Sequence, residues 1–167
     1  MNMMSMSASN KRAVVIGGGA AGMMAAGCAA EHGAAVTLLE PNDRLGKKLL
    51  ITGKGRCNVT NDCPWEDVLK NTPTNPRLYS ALSRFSPADA KAFFEAHGCA
   101  LKTERGNRVF PVSDRSADVL AALERYLRQT GVQVRHMRAT EIAVQDGAVC
   151  GVKTANGPIP ADAVILA

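Results

Sequence analysis

An α/β fold built around a parallel sheet is the architecture this sequence predicts, and three observations carry it. A short apolar run, Ala13-Val14-Val15-Ile16, passes directly into Gly17-Gly18-Gly19-Ala20-Ala21-Gly22, which has the spacing G-x-G-x-x-G. A helix-compatible run of small residues follows as far as Gly33, where a second apolar run, Ala35-Val36-Thr37-Leu38-Leu39, takes over. That run stops on an acid, Glu40, 23 positions after Gly17. Strand, glycine turn, helix, strand and terminal acid in this order form a βαβ unit of the kind that binds dinucleotides, a Rossmann-like unit.

Each part has a mechanical task. Gly17 makes the tight turn out of the strand, Gly19 lets the backbone approach a pyrophosphate, and Gly22 lets the helix lie close to the sheet. The helix start, with Gly18, Ala20 and Ala21 around it, offers free N–H groups and a positive dipole end to phosphates. Glu40 is placed to accept from a ribose hydroxyl. Its charge favours an unphosphorylated ribose, as in FAD or NAD, because a carboxylate repels the 2′-phosphate of NADP.

The segment 41–63 is polar and glycine-rich and reads as a loop, with Leu49-Leu50-Ile51 as a brief apolar run inside it. Asn75-Pro76 then has the form of a helix start, and Leu78, Tyr79, Leu82 and Phe85 fall on one helical face. Ser86-Pro87 repeats the device with Asp89 in the first turn; Phe93 and Phe94 face inward and Gly98 ends that helix. Val109 to Val112 is a short extended piece. Ser113 or Ser116 begins a third helix whose apolar stripe is Val119, Leu120, Leu123, Tyr126 and Leu127, closed by Gly131. Val132-Gln133-Val134 reads as the strand after it.

Glu141–Gln145, Asp146-Gly147 and Ala148–Thr154 spell a hairpin with a D-G turn. Asn156-Gly157 marks a second turn, and Pro158 to Pro160 fits only an edge strand or loop. Ala163 to Ala167 is an apolar run of buried-strand type. A domain rarely finishes on such a strand uncovered, so the expectation is an incomplete domain belonging to something longer. Residues 1–10 read as a disordered tail and 11–167 as the domain.

Composition narrows the function classes. The chain has 167 residues, 46% of them hydrophobic and 21% charged, which suits a globular domain with its own core. The net charge is +5, but the cations are interspersed with acids and no aromatic-interleaved basic patch occurs, so nucleic acid is not the expected partner. A mild basic concentration at Arg44, Lys47, Lys48, Lys54 and Arg56 suits an anionic ligand. Residues 1–10 lack the apolar core of a secretory signal, and no apolar run reaches a membrane-spanning length. Five cysteines without a C-x-x-C suit a reducing, cytoplasmic setting, with Cys28 and Cys150 read as small core residues. His32, His97 and His136 flank no acidic cluster, so no metal is expected.

A second motif, Lys47-Lys48-Leu49-Leu50-Ile51-Thr52-Gly53-Lys54-Gly55-Arg56-Cys57-Asn58-Val59-Thr60-Asn61, is rich in glycine and cations and suits an anion or the edge of a flavin ring. Together with Gly17–Gly22 and Glu40 it resembles the HI0933-like flavoproteins, also called the BaiN or aminoacetone-oxidase family of FAD-dependent enzymes. Phe110-Pro111-Val112-Ser113 and Ala161–Ala167 are similar to that family as well. The resemblance runs from Lys11 onward. It implies a two-dinucleotide-binding-type FAD domain interrupted by a small β-meander, acting on a small-molecule substrate; NAD(P)H is a candidate electron donor, which the sequence itself does not identify. It also implies that Gly17, Gly19 and Gly22 approach the pyrophosphate and Glu40 the ribose. Lys48, Thr52, Gly53, Arg56, Cys57 and Asn58 would lie along the path toward the isoalloxazine. Complete members resemble a chain more than twice as long, with a substrate-binding insertion and a C-terminal return.

No acid–base pair or nucleophile triad stands out, so catalytic residues are not assigned; Asp62, Glu66 and Asp67 read as solvated surface. Two other readings remain open. Cys57 and Cys63 resemble the redox disulfide of glutathione-reductase-like flavoenzymes, although five residues intervene rather than four. The chain also fits an inactive, truncated flavoprotein. Neither the substrate nor the oligomeric state is legible.

Overall fold

The computed structural model describes residues 11–72 and 78–167. The expected tail at 1–10 and the Asn75-Pro76 helix start lie outside the described residues. In chain order the elements begin with β1 (Arg12–Ile16), α1 (Ala20–Glu31), β2 (Ala35–Glu40), α2 (Lys47–Ile51), β3 (Thr60–Asn61) and α3 (Trp65–Lys70). They continue with α4 (Leu78–Leu82), α5 (Pro87–Ala96), β4 (Leu101–Glu104), β5 (Arg108–Pro111) and α6 (Ser116–Thr130). The last five strands are β6 (Gln133–His136), β7 (Ala139–Gln145), β8 (Ala148–Thr154), β9 (Gly157–Pro160) and β10 (Ala163–Leu166). Packing divides the chain into one unit of residues 1–45 with 127–167 and a second of residues 46–126.

In the first unit, four strands form a parallel sheet in the order β10-β1-β2-β6. This is the predicted α/β architecture. Successive strand residues point to opposite faces, so β1 and β2 divide their side chains between two cores. Val14 and Leu39 pack with Val152, Ile159 and Ala161 of the antiparallel meander β7-β8-β9. Val15 and Leu38, both fully buried, fall on the alternate face, where α1 packs against β1 and β2. The meander matches the D-G hairpin read from sequence: Asp146 and Gly147 have φ of 50° and 77°, the primed turn that suits strand twist. β9 is an edge strand, as its two prolines require.

Three expectations for this unit need correction. Ala163–Leu166 is not a buried strand: β10 lies at the sheet edge and Leu166 is 70% exposed, because among the described residues only β1 pairs with it. Cys28 and Cys150 are exposed rather than core residues: Cys28 lies on the outer face of α1, and Cys150 falls where the β7-β8 register shifts and has no pairing partner in β7.

The second unit holds the sheet β3-β5-β4, all antiparallel. Sequence reading found only the β5 part of it. α6 begins at Ser116, and its predicted stripe is buried throughout, from Leu123 at 0% to Leu120 at 9% exposed. Phe93 of α5 meets Tyr126 of α6 edge to face at 4.9 Å. The Lys47–Ile51 stretch is a short helix rather than loop, started by left-handed Gly46. Tyr79 and Phe85, expected on a buried face, are 58% and 44% exposed; α4 is one turn long and buries none of its residues.

Candidate dinucleotide site

The glycine turn sits at the carboxyl ends of β1 and β2, where open α/β sheets bind their ligands. Gly17 leaves β1 with φ +115°, a conformation closed to ordinary L residues, and its N–H donates to Leu39 O at 2.9 Å. Gly22 lies under this turn: a Cβ there would stand 1.8 Å from Gly17 O. Close contact of helix and strand is therefore what the third motif glycine secures. Gly18 is crowded too, with Leu45 Cδ2 at 2.5 Å from a would-be Cβ.

Gly19 differs from its neighbours. Its φ of −76° is open to any residue, and a Cβ there would meet nothing within 4 Å. Gly19 caps α1 without a side chain, and the first turn carries no acid. Ala20, Ala21 and Gly22 thus present N–H groups that lack intrahelical carbonyls, beside a dipole end that no acidic side chain neutralises. An empty volume over the capping glycine of a 12-residue helix fits the pyrophosphate of a dinucleotide.

Glu40 is buried at the end of β2. One carboxylate oxygen accepts from Gly18 N–H at 2.8 Å; the other accepts from Asn42 N–H at 2.9 Å and from the Asn42 amide. Asn42 is in turn held by His136 at the end of β6, whose Nδ1 donates to Asn42 O at 2.6 Å. Burial pushes the Glu40 carboxyl up, but the Asn42 and Gly18 donors and the nearby imidazole outweigh it and leave it below its ordinary value. A carboxylate offers about four acceptor positions, so this anchored anion retains capacity for a ribose hydroxyl. Sequence reading missed Asn42 and His136; nothing local marks a histidine 94 residues away as their partner.

The second motif lies in the other unit. Thr52 Oγ donates to Leu49 O at 2.7 Å and caps α2. A 3-10 turn over Thr52–Gly55 follows, in which Gly53 and Lys54 are left-handed with φ 55° and 57°, and Cys57 is left-handed at φ 58°. Arg56 N–H returns to Gly53 O at 3.2 Å and Cys57 N–H to Thr52 O at 3.1 Å. Lys48, Thr52, Gly53 and Asn58 are exposed, Arg56 is half-buried and Cys57 is buried. The Cys57 thiol is pushed up by burial, against a hydrogen bond with Thr52 that lowers it. All five cysteines are free thiols. A buried thiol with a raised pKa is a poor nucleophile, which weighs against Cys57 as the attacking thiol of a redox pair.

This fold and glycine turn define a Rossmann-type dinucleotide-binding domain. The chain belongs to the HI0933-like family: the model of the HI0933-like protein Rossmann domain matches residues 11–167. It is 38% identical over 144 residues to the 3-dehydro-bile acid delta(4,6)-reductase of Clostridium scindens, covering 85% of this chain and 34% of that one. The chain thus spans about a third of the length of that curated relative. Among solved structures, the open conformation of a flavocytochrome c3 fumarate reductase aligns with a TM-score of 0.71 at 22% identity, over 95% of this chain and 33% of that one. Thermovibrio ammonificans THI4 aligns with a TM-score of 0.61 at 13% identity, over 95% of this chain and 57% of that one. These two structures share the fold.

Proposed function

We propose that this chain is the FAD-binding part of a flavin-dependent oxidoreductase that acts on a small molecule. The single observation that carries the reading is the open, side-chain-free helix cap at Gly19 beside the anchored carboxylate of Glu40. When bound, FAD supplies the hydride and electron chemistry; the residues here bind and orient it. Gly17, Gly18 and Gly19 bring the backbone to the pyrophosphate, Ala20, Ala21 and Gly22 turn helix N–H groups toward it, and Glu40 accepts from the adenosine ribose. Lys48, Thr52, Gly53, Arg56, Cys57 and Asn58 form the segment that serves the flavin end of the cofactor, with Lys48 as the cation that balances phosphate charge.

Family membership supports FAD over NAD at the glycine turn, and NAD(P)H fits as the electron donor. The bile-acid relative is a reductase by name, and the shared stretch is the cofactor-binding part, so the likeness supports the cofactor rather than a steroid substrate. No described helix is long and apolar enough to cross a membrane.

FAD titration followed by the flavin's visible absorption tests the site. Gly19→Val fills the open volume and abolishes binding. Glu40→Ala weakens it by roughly 1–3 kcal/mol, the size of a charge-assisted hydrogen bond. Unchanged affinity in both variants would overturn the assignment.

A further inference from the structure

Arg56 stands in the segment just proposed to serve the flavin end of the cofactor, yet its guanidinium is already engaged. Nε donates to Asp114 Oδ1 at 2.8 Å, and Nη2 donates to Glu104 and to the same Asp114 oxygen. Lys102 closes the cluster on Asp114 Oδ2 at 2.7 Å. The guanidinium also lies over the Phe110 ring, 4.1 Å from its centroid. Phe110 is itself in the turn's footing: a Cβ on Gly53 would stand 3.4 Å from its Cε1. Hydrogen bonds to Glu104 and Asp114 push Arg56 above its ordinary value, and those with Arg56 and Lys102 hold both acids below theirs.

The turn that Arg56 belongs to is costly to hold. Lys54 and Cys57 are left-handed without being glycine, and such conformations persist only where surrounding structure fixes them. The Arg56 fork is suited to that task. It is planar, permanently charged, and presents several donors in a rigid array, so two carboxylates and a ring together leave it one orientation.

We propose that Arg56 is a positioning residue: it clamps the Gly53–Cys57 turn to Glu104, Asp114 and Phe110, and acts on the cofactor through the shape of that turn rather than by touching it. This rests on the reading that the turn serves the flavin. The step is conformational, and the clamp needs arginine's fork rather than a positive charge alone.

Amide hydrogen exchange read residue by residue on the whole chain tests it without flavin, in Arg56→Lys and in the double variant Glu104→Gln/Asp114→Asn. Both variants are expected to speed exchange at the Arg56 and Cys57 amides by about tenfold or more, the scale of lost charge-assisted hydrogen bonds. Amides of Leu123 and Tyr126 in the buried helix α6 keep their wild-type rates. Acceleration at all four sites together would make Arg56 a general packing residue and overturn the proposal, as would unchanged exchange at Cys57. If Arg56→Lys does not fold, the double variant, which keeps the arginine, decides the same question. FAD titration then asks whether the clamp serves the cofactor. Variants that open the turn are expected to bind FAD at least about tenfold more weakly and to change the shape of its visible band. An opened turn with affinity and band unchanged also overturns the proposal. A wild-type chain that takes up no FAD sinks the cofactor reading instead, and leaves the exchange data to decide the clamp.

Discussion

Gly22 and Gly19 lie three residues apart and do opposite things for the molecule. A methyl group on Gly22 would stand 1.8 Å from the Gly17 carbonyl oxygen, and backbone cannot retreat from it as a flexible side chain would. Gly22→Ala therefore costs roughly 3 kcal/mol or more, the upper range of overpacking, and lowers the melting temperature with or without ligand. Gly19 faces open space with an extended backbone, so Gly19→Val loses only part of a helix cap, about 1 kcal/mol or less. Denaturant unfolding of the two variants separates them: a glycine kept for packing loses stability, and a glycine kept for ligand approach loses binding. Equal destabilisation of both would remove the distinction.

At the scale of elements, α6 and α5 draw stability from different sources. α6 buries Leu123 completely, and Leu123→Ala leaves a cavity worth roughly 2–5 kcal/mol. α5 begins with a reciprocal cap, in which Ser86 Oγ accepts from Asp89 N–H at 3.2 Å and Ser86 N–H donates to Asp89 Oδ2 at 2.8 Å. Ser86→Ala costs only about 1 kcal/mol. Chemical unfolding monitored through Trp65 ranks the two; a cap as costly as the core residue would contradict it.

The same contrast explains what the sequence makes legible. The α6 stripe, the Ser86-Pro87 start and the Asp146-Gly147 turn are local signals, carried by residues within a turn or two of one another. The glycine turn and Glu40 are legible for the same reason, since one βαβ unit contains them. α2 escapes because five residues are too few to show a period and its start depends on a left-handed Gly46. β4 escapes because its partner β5 makes the strand: Leu101–Glu104 carries two charged residues and buries none of its four. Arg56 is visible as a cation, but its partners lie 48 and 58 residues away, and no spacing rule reaches them.

Across the whole molecule, titratable groups set two flanks of stability against pH. On the acid side, Asp162 accepts from the backbone N–H, Nε and Nη2 of Arg12, and these bonds hold it down from 3.8 to about 2. A carboxyl with a lowered folded-state pKa stabilises above its unfolded value and loses that contribution as pH falls through the folded one, here between 3.8 and about 2. Glu40 is shifted in the same direction. On the alkaline side, Cys99 is pushed up from 9.0 to about 11, by burial first and then by Asp118 and Cys57. The folded chain keeps this thiol protonated where the unfolded chain ionises it, so stability falls as pH rises from 9.0 to about 11. The two groups belong to different units, Asp162 to residues 127–167 and Cys99 to residues 46–126. Trp65, the chain's one tryptophan, lies in the unit of Cys99 and reports that flank by fluorescence. Cys99→Ala is expected to flatten the alkaline limb of the Trp65 unfolding profile over that interval. Asp162→Asn is expected to leave that limb intact while flattening the acid limb read from amide exchange in β1 and β10. An alkaline limb that keeps its slope without Cys99 would place the proton release on another group.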